Sequence, residues 1–186
     1  SIRHQGPMRT LINWTGLADK DRGASVAMGN FDGVHLGHQS VIDLARRAGT
    51  PLGIVTFEPH PRQFFAPAAP SFRLMNAESR AHRLEKLGVD LLYELPFGPA
   101  LAGMTAEAFV ADVLVGGLGV RNVTVGADFC FGKGRQGTVD TLRDLGRVHG
   151  FVLTVADLVT FDGREISSTA IRNALMKGTF PDTTLR

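Results

Sequence analysis

Cysteine is almost absent from this chain of 186 residues, since Cys130 is the only one. A lone thiol cannot form an internal disulfide, so the fold must be held by its core alone. This usage is typical of proteins that work in a reducing compartment, and it predicts a cytoplasmic location.

Long hydrophobic runs are also missing. No stretch approaches the ~18 apolar residues that a membrane-spanning helix needs, and the N-terminus lacks the basic-then-apolar layout of a secretory signal. We therefore expect a soluble protein with no membrane partner. Residues 1–7 precede Met8 and are interpreted as a remnant of expression cloning outside the fold.

The charge shows no strong excess of one sign. Twenty Lys and Arg residues face 18 Asp and Glu residues, and the formal net charge is +2. Because the sequence pI near 9.0 rests on that small excess, we predict no nucleic-acid partner. Hydrophobic residues make up 44% and charged residues 20%, which excludes disorder and favours a packed core. The length favours one domain and excludes a large multidomain enzyme.

Apolar runs typical of buried strands alternate with segments of helical periodicity. Strands are predicted over 25–31, 52–57, 89–95, 120–126 and 151–155. Helices are predicted over 39–48, 76–87 with Asn76 as N-cap, 105–114 with Thr105 as cap, 138–149 ending at Gly150, and 170–176. This alternation predicts an α/β fold: a Rossmann-like parallel sheet with helices on both faces, in a single domain. Ligands of such sheets bind beyond the carboxyl ends of the strands, so we expect the residues that follow the strands to face one another.

Two connecting segments have an unusual composition. In 58–61 (EPHP) the two prolines are expected to exclude both a helix and a strand ladder. Segment 127–137 combines three glycines with Lys133 and Arg135, and it is expected to form a mobile basic loop that folds over polyphosphate or is simply solvated.

Segment 29–38 (GNFDGVHLGH) lies between a predicted strand and a predicted helix. Its three glycines let the backbone turn sharply and approach a ligand. His35 and His38 are three residues apart, which places both imidazoles on one side of a first helical turn, beside free N–H groups that attract phosphate. Two alternatives stay open: the histidines cap or pack locally, or they bind zinc with Cys130 as a third ligand.

A second phosphate cradle is predicted at 166–172 (ISSTAIR). Ser167 and Ser168 stand where a helix begins, and Arg172 lies four residues beyond Ser168. Hydroxyls, free N–H groups and a guanidinium together bind phosphate. The alternative is an ordinary helix cap with a surface arginine.

Segment 57–65 (FEPHPRQFF) offers aromatic rings, His60 as a hydrogen-bonding group and Arg62 as a partner for phosphate, a combination suited to a planar heterocycle. The alternative is a Pro-rich turn with core phenylalanines. Asp128 could bond the polar edge of such a ligand or cap a turn. Cys130, between two aromatic residues, is expected to be buried, and Trp14 and Tyr93 are interpreted as packing residues.

The motif His35-Leu36-Gly37-His38 resembles the His-x-Gly-His signature of nucleotidylyltransferases. In its longer form, GNFDGVHLGH, it resembles the adenylyltransferase domain of the bacterial bifunctional riboflavin kinase/FAD synthetases. Three further segments agree with that family in the same order: TFEPHP (56–61), GADFCFG (126–132) and ISSTAIR (166–172). The resemblance runs from about Met8 to Gly178.

The resemblance implies transfer of AMP from ATP to FMN, giving FAD and pyrophosphate, by in-line attack of the FMN phosphate without a covalent enzyme intermediate. It implies that catalysis depends on His35, His38 and Arg172. The residues expected at ATP are Gly29, Asn30, Phe31, Asp32, Gly37, His38, Ser167, Ser168, Thr169 and Arg172, and those expected at FMN are Phe57, Pro59, His60, Arg62 and Asp128. Mg²⁺ would be held by ATP phosphates and water, because the sequence offers no closed carboxylate cage.

The adenylyltransferase domain is expected to cover 8–178, with 179–186 as a short tail. The family usually continues into a riboflavin kinase module, which we do not expect within these residues, so that activity is expected to come from a missing module or another protein. Two other functions stay open: adenylyl or cytidylyl transfer to another phosphorylated acceptor, and binding of a flavin or nucleotide without catalysis.

Overall fold

The fold is built on a six-stranded parallel sheet. The computed structural model describes residues 7–29, 31, 36–68, 77–161 and 164–167, with the backbone alone at 36–38, 62, 158–161 and 164–167. The strands are β1 (Arg9–Leu11), β2 (Ser25–Met28), β3 (Leu52–Glu58), β4 (Leu91–Pro96), β5 (Asn122–Gly126) and β6 (Val152–Ala156). A separate antiparallel pair consists of β7 (Leu158–Phe161) and β8 (Arg164–Ser167). The Rossmann-like prediction is confirmed, while β1 and the β7–β8 pair were not predicted.

The strand order places a reversal at the centre of the sheet. The order is β1-β4-β3-β2-β5-β6. From β2 the chain moves through β3 to β4 in one direction, and it then returns past β2 to β5 and β6. Ligands of open α/β sheets bind where the order reverses, here between β2 and β5, beyond the carboxyl ends of the strands. Those ends lie together at one side of the sheet, which we call the carboxyl edge.

Helices cover both faces of the sheet. They are α1 (Leu36–Ala45), α2 (Pro61–Phe65), α3 (Ala77–Lys86), α4 (Pro99–Ala102), α5 (Ala106–Ala108), which continues as a π-helical segment over Phe109–Gly117, and α6 (Val139–His149). Ile42 of α1 and Leu84 of α3 share one apolar cluster with Ile54 of β3. The π-helical segment and α6 join the cluster on the opposite face, which includes Val55. Successive strand residues point to opposite faces, so the central strands contribute side chains to both clusters.

The local helix signals are largely confirmed. The Thr105 hydroxyl accepts a hydrogen bond from the Ala108 N–H at 3.1 Å, and Thr138 caps α6 in the same way. Gly150 ends α6 with a φ of +90°, a conformation that favours glycine. The predicted cap Asn76 and the helix expected over 170–176 lie outside the described residues.

The expectation for the two prolines of 58–61 is wrong. Glu58 belongs to β3 and lies opposite Pro96 of β4, and helix α2 begins at Pro61. Proline suits the first position of a helix because the N–H group there has no partner within the helix. Only Pro59 and His60 therefore separate the strand from the helix.

The only tyrosine of the chain, Tyr93, is fully buried in β4, as its interpretation as a packing residue predicts. Its hydroxyl donates a hydrogen bond to the backbone carbonyl of Asp21. The Asp21 carboxylate in turn forms an ion pair with Arg9, with an N–O distance of 2.7 Å. Burial, followed by the negative charge of Asp21, raises the pKa of Tyr93 well above its ordinary value.

We expect Tyr93 to remain protonated in the folded protein above the ordinary tyrosine pKa of about 10. Because its folded-state pKa is raised, its contribution to stability is complete below about pH 10 and is lost as the pH rises further. Ultraviolet absorbance of tyrosinate, followed together with circular dichroism, should show ionisation and unfolding at the same pH. Ionisation near pH 10 in a chain that stays folded would contradict this prediction.

Candidate active site

The residues after β2 form the first part of the site. Gly29 donates its N–H to the Val55 carbonyl at 3.0 Å. Phe31 has a φ of +52°, in the left-handed region that side chains rarely adopt. Its ring is buried with Val41 and Ile42 of α1, and this packing holds the turn. The side chain of Phe31 is therefore part of the core, and its expected place at ATP stays a prediction in which the backbone faces the ligand.

Helix α1 directs its N-terminus toward the carboxyl edge. It begins at Leu36, three residues earlier than predicted, and Gly37 and His38 lie in its first turn. Because α1 connects two parallel neighbouring strands, it runs back along them from the carboxyl edge. Free N–H groups and the helix dipole make such an N-terminus attractive to anions. The remaining residues predicted here, Asn30, Asp32 and His35, lie outside the described residues.

The antiparallel pair brings a second predicted segment to the same helix. Strand β8 packs against α1, and Ser167 is the last residue of β8, opposite Leu158. The fold thus brings the strand that leads into the 166–172 motif to the helix that holds His38. Ser168, Thr169 and Arg172 lie outside the described residues.

The short connection after β3 is held from both sides. The Glu58 carbonyl accepts a hydrogen bond from the Phe97 N–H at 3.0 Å, and the His60 carbonyl accepts from the N–H groups of Gln63 and Phe64 at 2.8 and 3.0 Å. Between these anchors the Glu58–Pro59 peptide bond is cis. Pro59 is exposed and His60 is half-buried. Arg62 follows in α2, where only its backbone is described.

A row of phenylalanine rings crosses the molecule from α2 to the loop after β5. Neighbouring ring centroids are 5.1 to 6.3 Å apart, and the order is Phe65, Phe64, Phe97, Phe57, Phe109, Phe131 and Phe129. Phe57, expected at FMN, is only 8% exposed in the middle of this row, so it is a core residue, whereas Phe65 is 69% exposed. Sequence reasoning noted only the three rings at 57, 64 and 65, because the other four come from distant segments.

Asp128 follows β5 and is exposed. It lines an open depression of about 360 Å³ together with Cys130, Thr138 and Arg143. The Cys130 thiol lies 3.6 Å from the Asp128 carbonyl and is half-buried rather than buried as expected. The Asp128 carboxylate is therefore accessible to a ligand at the carboxyl edge.

The basic segment after Asp128 is anchored, contrary to the expected mobile loop. Phe131 and Gly137 exchange two backbone hydrogen bonds, of 3.0 and 2.8 Å, and the Lys133 N–H donates to the Met104 carbonyl at 2.7 Å. The side chains of Lys133 and Arg135 are exposed on this turn. Its glycines thus permit close packing and a tight turn.

Metal and membrane features can be judged only for the described part of the chain. There, no group of three or more His, Cys, Asp or Glu side chains is placed to hold a metal ion. The zinc alternative depends on His35, which lies outside that part, and stays a hypothesis. No helix in the same residues is long and apolar enough to cross a membrane.

The reversal of strand order, with a helix N-terminus beside it, defines a Rossmann-like α/β protein whose ligand crevice lies at the carboxyl edge. A solved macrolide-efflux protein from Streptococcus pneumoniae is similar, with a TM-score of 0.71 and 27% identity over 92% of this chain and 57% of that one. A pantoate-beta-alanine ligase from Francisella tularensis, complexed with beta-gamma ATP and beta-alanine, has a TM-score of 0.53 and 14% identity over 89% of this chain and 72% of that one. The second likeness shows the fold alone.

Residues 17–170 match the family model described as FAD synthetase, and the chain belongs to that family. The bifunctional riboflavin kinase/FMN adenylyltransferase of Pseudomonas fluorescens is 41% identical over 168 residues, covering 88% of this chain and 54% of that protein. The protein of the same name from Escherichia coli K12 is 36% identical over 157 residues, covering 82% of this chain and 50% of that protein. The chain thus spans about half the length of these relatives.

The anchored turn makes Gly137→Ala a test of its packing. A Cβ at Gly137 would lie 2.8 Å from the Phe131 carbonyl oxygen and 2.9 Å from the Ala106 Cβ. We expect a loss of about 1–3 kcal/mol in the free energy of unfolding, the usual cost of overpacking.

Urea unfolding should show this loss, and Gly98→Ala is the matched control because a Cβ there meets no heavy atom within 4 Å. Gly98 is the N-cap of α4, and it offers no side-chain hydrogen bond there. Its replacement by alanine should therefore lower the free energy of unfolding by less than the Gly137 replacement does. Equal losses in the two variants would contradict the packing explanation.

Proposed function

We propose that this chain transfers AMP from ATP to FMN, giving FAD and pyrophosphate. One observation carries the proposal: in a chain of the FAD synthetase family, the helix that contains Gly37 and His38 opens at the carboxyl edge where the strand order reverses. That is where an anionic nucleotide finds free backbone N–H groups in folds of this kind.

For ATP, we infer a site between the N-terminus of α1 and the segment that follows β8. The packing of β8 on α1 supports this inference, because it brings the strand that ends at Ser167 to the helix that contains His38. His35, His38 and Arg172 would supply positive charge to the phosphates, with Ser168 and Arg172 at the β- and γ-phosphates. The other residues assigned here are Gly29, Asn30, Asp32, Gly37, Thr169 and the backbone of Phe31.

For FMN, we infer a site along the carboxyl edge between the ends of β3 and β5. Pro59 and His60 stand at one end and Asp128 at the other, and all three are at least partly accessible. The phenylalanine row lies between these two loops, and Phe65 offers an open ring face. Arg62, in the first turn of α2, would pair with the phosphate of FMN.

The proposed mechanism needs neither a general base nor a covalent intermediate, because the FMN phosphate is already an anionic nucleophile. Catalysis then consists of holding two anions in line and stabilising the charge that develops on the α-phosphate and the leaving pyrophosphate. The imidazoles, the Arg172 guanidinium and the N–H groups of α1 perform that stabilisation. When bound to the ATP phosphates, Mg²⁺ neutralises part of the same charge. The described residues contain no acidic cage that would hold it apart from the nucleotide.

The cellular setting is part of the proposal. The named relatives combine riboflavin kinase with FMN adenylyltransferase, and this chain aligns with about half of each. We infer that FMN reaches this domain from a riboflavin kinase, carried by a further module or by another protein. The small substrates and the lone cysteine are consistent with work in the cytoplasm.

The direct test is to incubate the purified protein with FMN, ATP and Mg²⁺ and to measure FAD and pyrophosphate. We expect equal amounts of the two products, little reaction when CTP replaces ATP, and none when riboflavin replaces FMN. Binding of FMN and ATP without turnover would contradict the proposal and indicate a binding module. Turnover only with a different phosphorylated acceptor would indicate the broader transferase function.

His38→Ala should lower kcat by about two to three powers of ten, because one preorganised donor to a developing charge contributes about 2.7–4 kcal/mol. His82→Ala is the matched control, since His82 is exposed on α3 away from the proposed phosphate site. Turnover should be measured at saturating ATP and FMN, with circular dichroism to verify folding. A folded His38→Ala variant with the control's kcat would remove His38 from the mechanism.

A further inference from the structure

A buried arginine lies beneath the connection that follows β3. Arg80 comes from α3, and only 1% of its side-chain surface is exposed. Its Nη2 atom is 3.0 Å from Glu58 Oε1 and 3.2 Å from Glu94 Oε2. One guanidinium thus bridges two carboxylates, an arrangement that its planar and multiply donating group permits.

The register of the strands explains why these three side chains meet. Glu58 is the last residue of β3, and Glu94 lies opposite Thr56 on β4, two residues before the Glu58 partner position. Both glutamates therefore point to the same face of the sheet. Helix α3 covers that face, and its buried residues, Arg80 and Leu84, are one turn apart. Leu84 packs on the apolar part of the sheet, while Arg80 reaches the carboxyl edge.

The two carboxylates are not equivalent. The Glu94 side chain is 14% exposed and the Glu58 side chain 39% exposed. The pair with Glu94 lies deeper between the sheet and α3, whereas the pair with Glu58 reaches the carboxyl edge, where the guanidinium holds the more exposed Glu58 at the end of its strand. Charge-assisted hydrogen bonds of this kind are stronger and more directional than neutral ones, more so where water is largely excluded.

Glu58 is joined directly to the connection that carries the flavin-side residues. Its carbonyl oxygen is bound by the Phe97 N–H, and the next two residues are Pro59 and His60. With the backbone bound by β4 and the side chain bound by Arg80, Glu58 has little freedom to rotate. Rotation at Glu58 would displace Pro59, His60 and the start of α2 together.

We propose that Arg80 is a positioning residue for the acceptor nucleotide: through Glu58 it orients the Pro59–His60 connection that receives the flavin. This inference rests on the proposed function for the identity of the acceptor, FMN. Because its side chain is buried, Arg80 is not accessible to substrate. Its effect should therefore fall on FMN binding and leave ATP binding nearly unchanged.

Glu58→Gln and Glu94→Gln form a matched pair of variants. Each replaces a carboxylate with an amide of the same shape, but only the first weakens the link between Arg80 and the connection. We expect Glu58→Gln to raise KM for FMN by about three- to tenfold, because the amide oxygen still accepts a neutral hydrogen bond and only the contribution of the charge is lost, with KM for ATP changed by less than about twofold. Glu94→Gln should leave both KM values within about twofold. It should lower the thermal unfolding midpoint at least as much as Glu58→Gln does, because the ion pair between Arg80 and Glu94 is more deeply buried.

A double-mutant cycle tests whether Arg80 acts through Glu58. Arg80→Lys keeps the charge but loses the bridging geometry, so it should raise KM for FMN in the wild-type background and have almost no further effect in Glu58→Gln. Equal effects of the two glutamine variants on KM for FMN, equal changes in KM for ATP, or additive effects in the cycle would each overturn the proposal.

Quenching of flavin fluorescence provides a readout that does not depend on turnover. The dissociation constant of FMN should change in the same order as KM across these variants. If the wild-type protein binds FMN but makes no FAD, the proposed function fails while this measurement still tests Arg80. If wild-type turnover is normal and FMN affinity is indifferent to Glu58→Gln, the positioning role alone fails.

Discussion

Strand β2 is hydrogen-bonded to β3 on one side and to β5 on the other, and all four of its residues, Ser25–Met28, are buried. It runs parallel to both neighbours, and its two backbone edges and two faces are all covered, as is typical of a central strand in a parallel sheet. The chain must therefore leave it at the carboxyl edge, turn through Gly29 and Phe31, and return as α1. The crevice for a nucleotide lies at this point, because the chain continues from β2 to β3 on one side and later places β5 on the other side of β2.

The end of β3 shows how one strand can serve two kinds of interaction. Phe57 faces the aromatic row on one side of the sheet, and Glu58 faces the guanidinium of Arg80 on the other. Ring packing covers a broad apolar area, whereas a charge-assisted hydrogen bond depends on direction. The phenylalanine row thus supports the surface of the proposed flavin site, while the ion pair with Arg80 fixes the orientation of Glu58. Pro59 and His60 lie at the junction of the two.

Residues whose role depends on sequence neighbours were predicted well. Thr105 was identified as a cap and Gly150 as a helix end, because each of these signals acts within a few residues of its partner. Pro61 was misjudged, since a proline excludes a helix from its interior but is favourable at its first position. Gly137 was attributed to mobility, whereas a Cβ there would meet Phe131 and Ala106, and the second contact joins residues far apart in sequence.

The amino-acid sequence by itself determined the class of fold, the order of its main elements and the motifs at 29–38 and 58–62, because hydrophobic periodicity and local turn chemistry are properties of short segments. Tertiary structure alone decided that Phe57 and Phe31 are core residues and that Asp128 is open to a ligand. It also decided that Arg80, which looks like a solvated helix residue in the sequence, bridges Glu58 of β3 and Glu94 of β4. Burial and charge pairing depend on which distant segments share a face, and only the packed sheet specifies that.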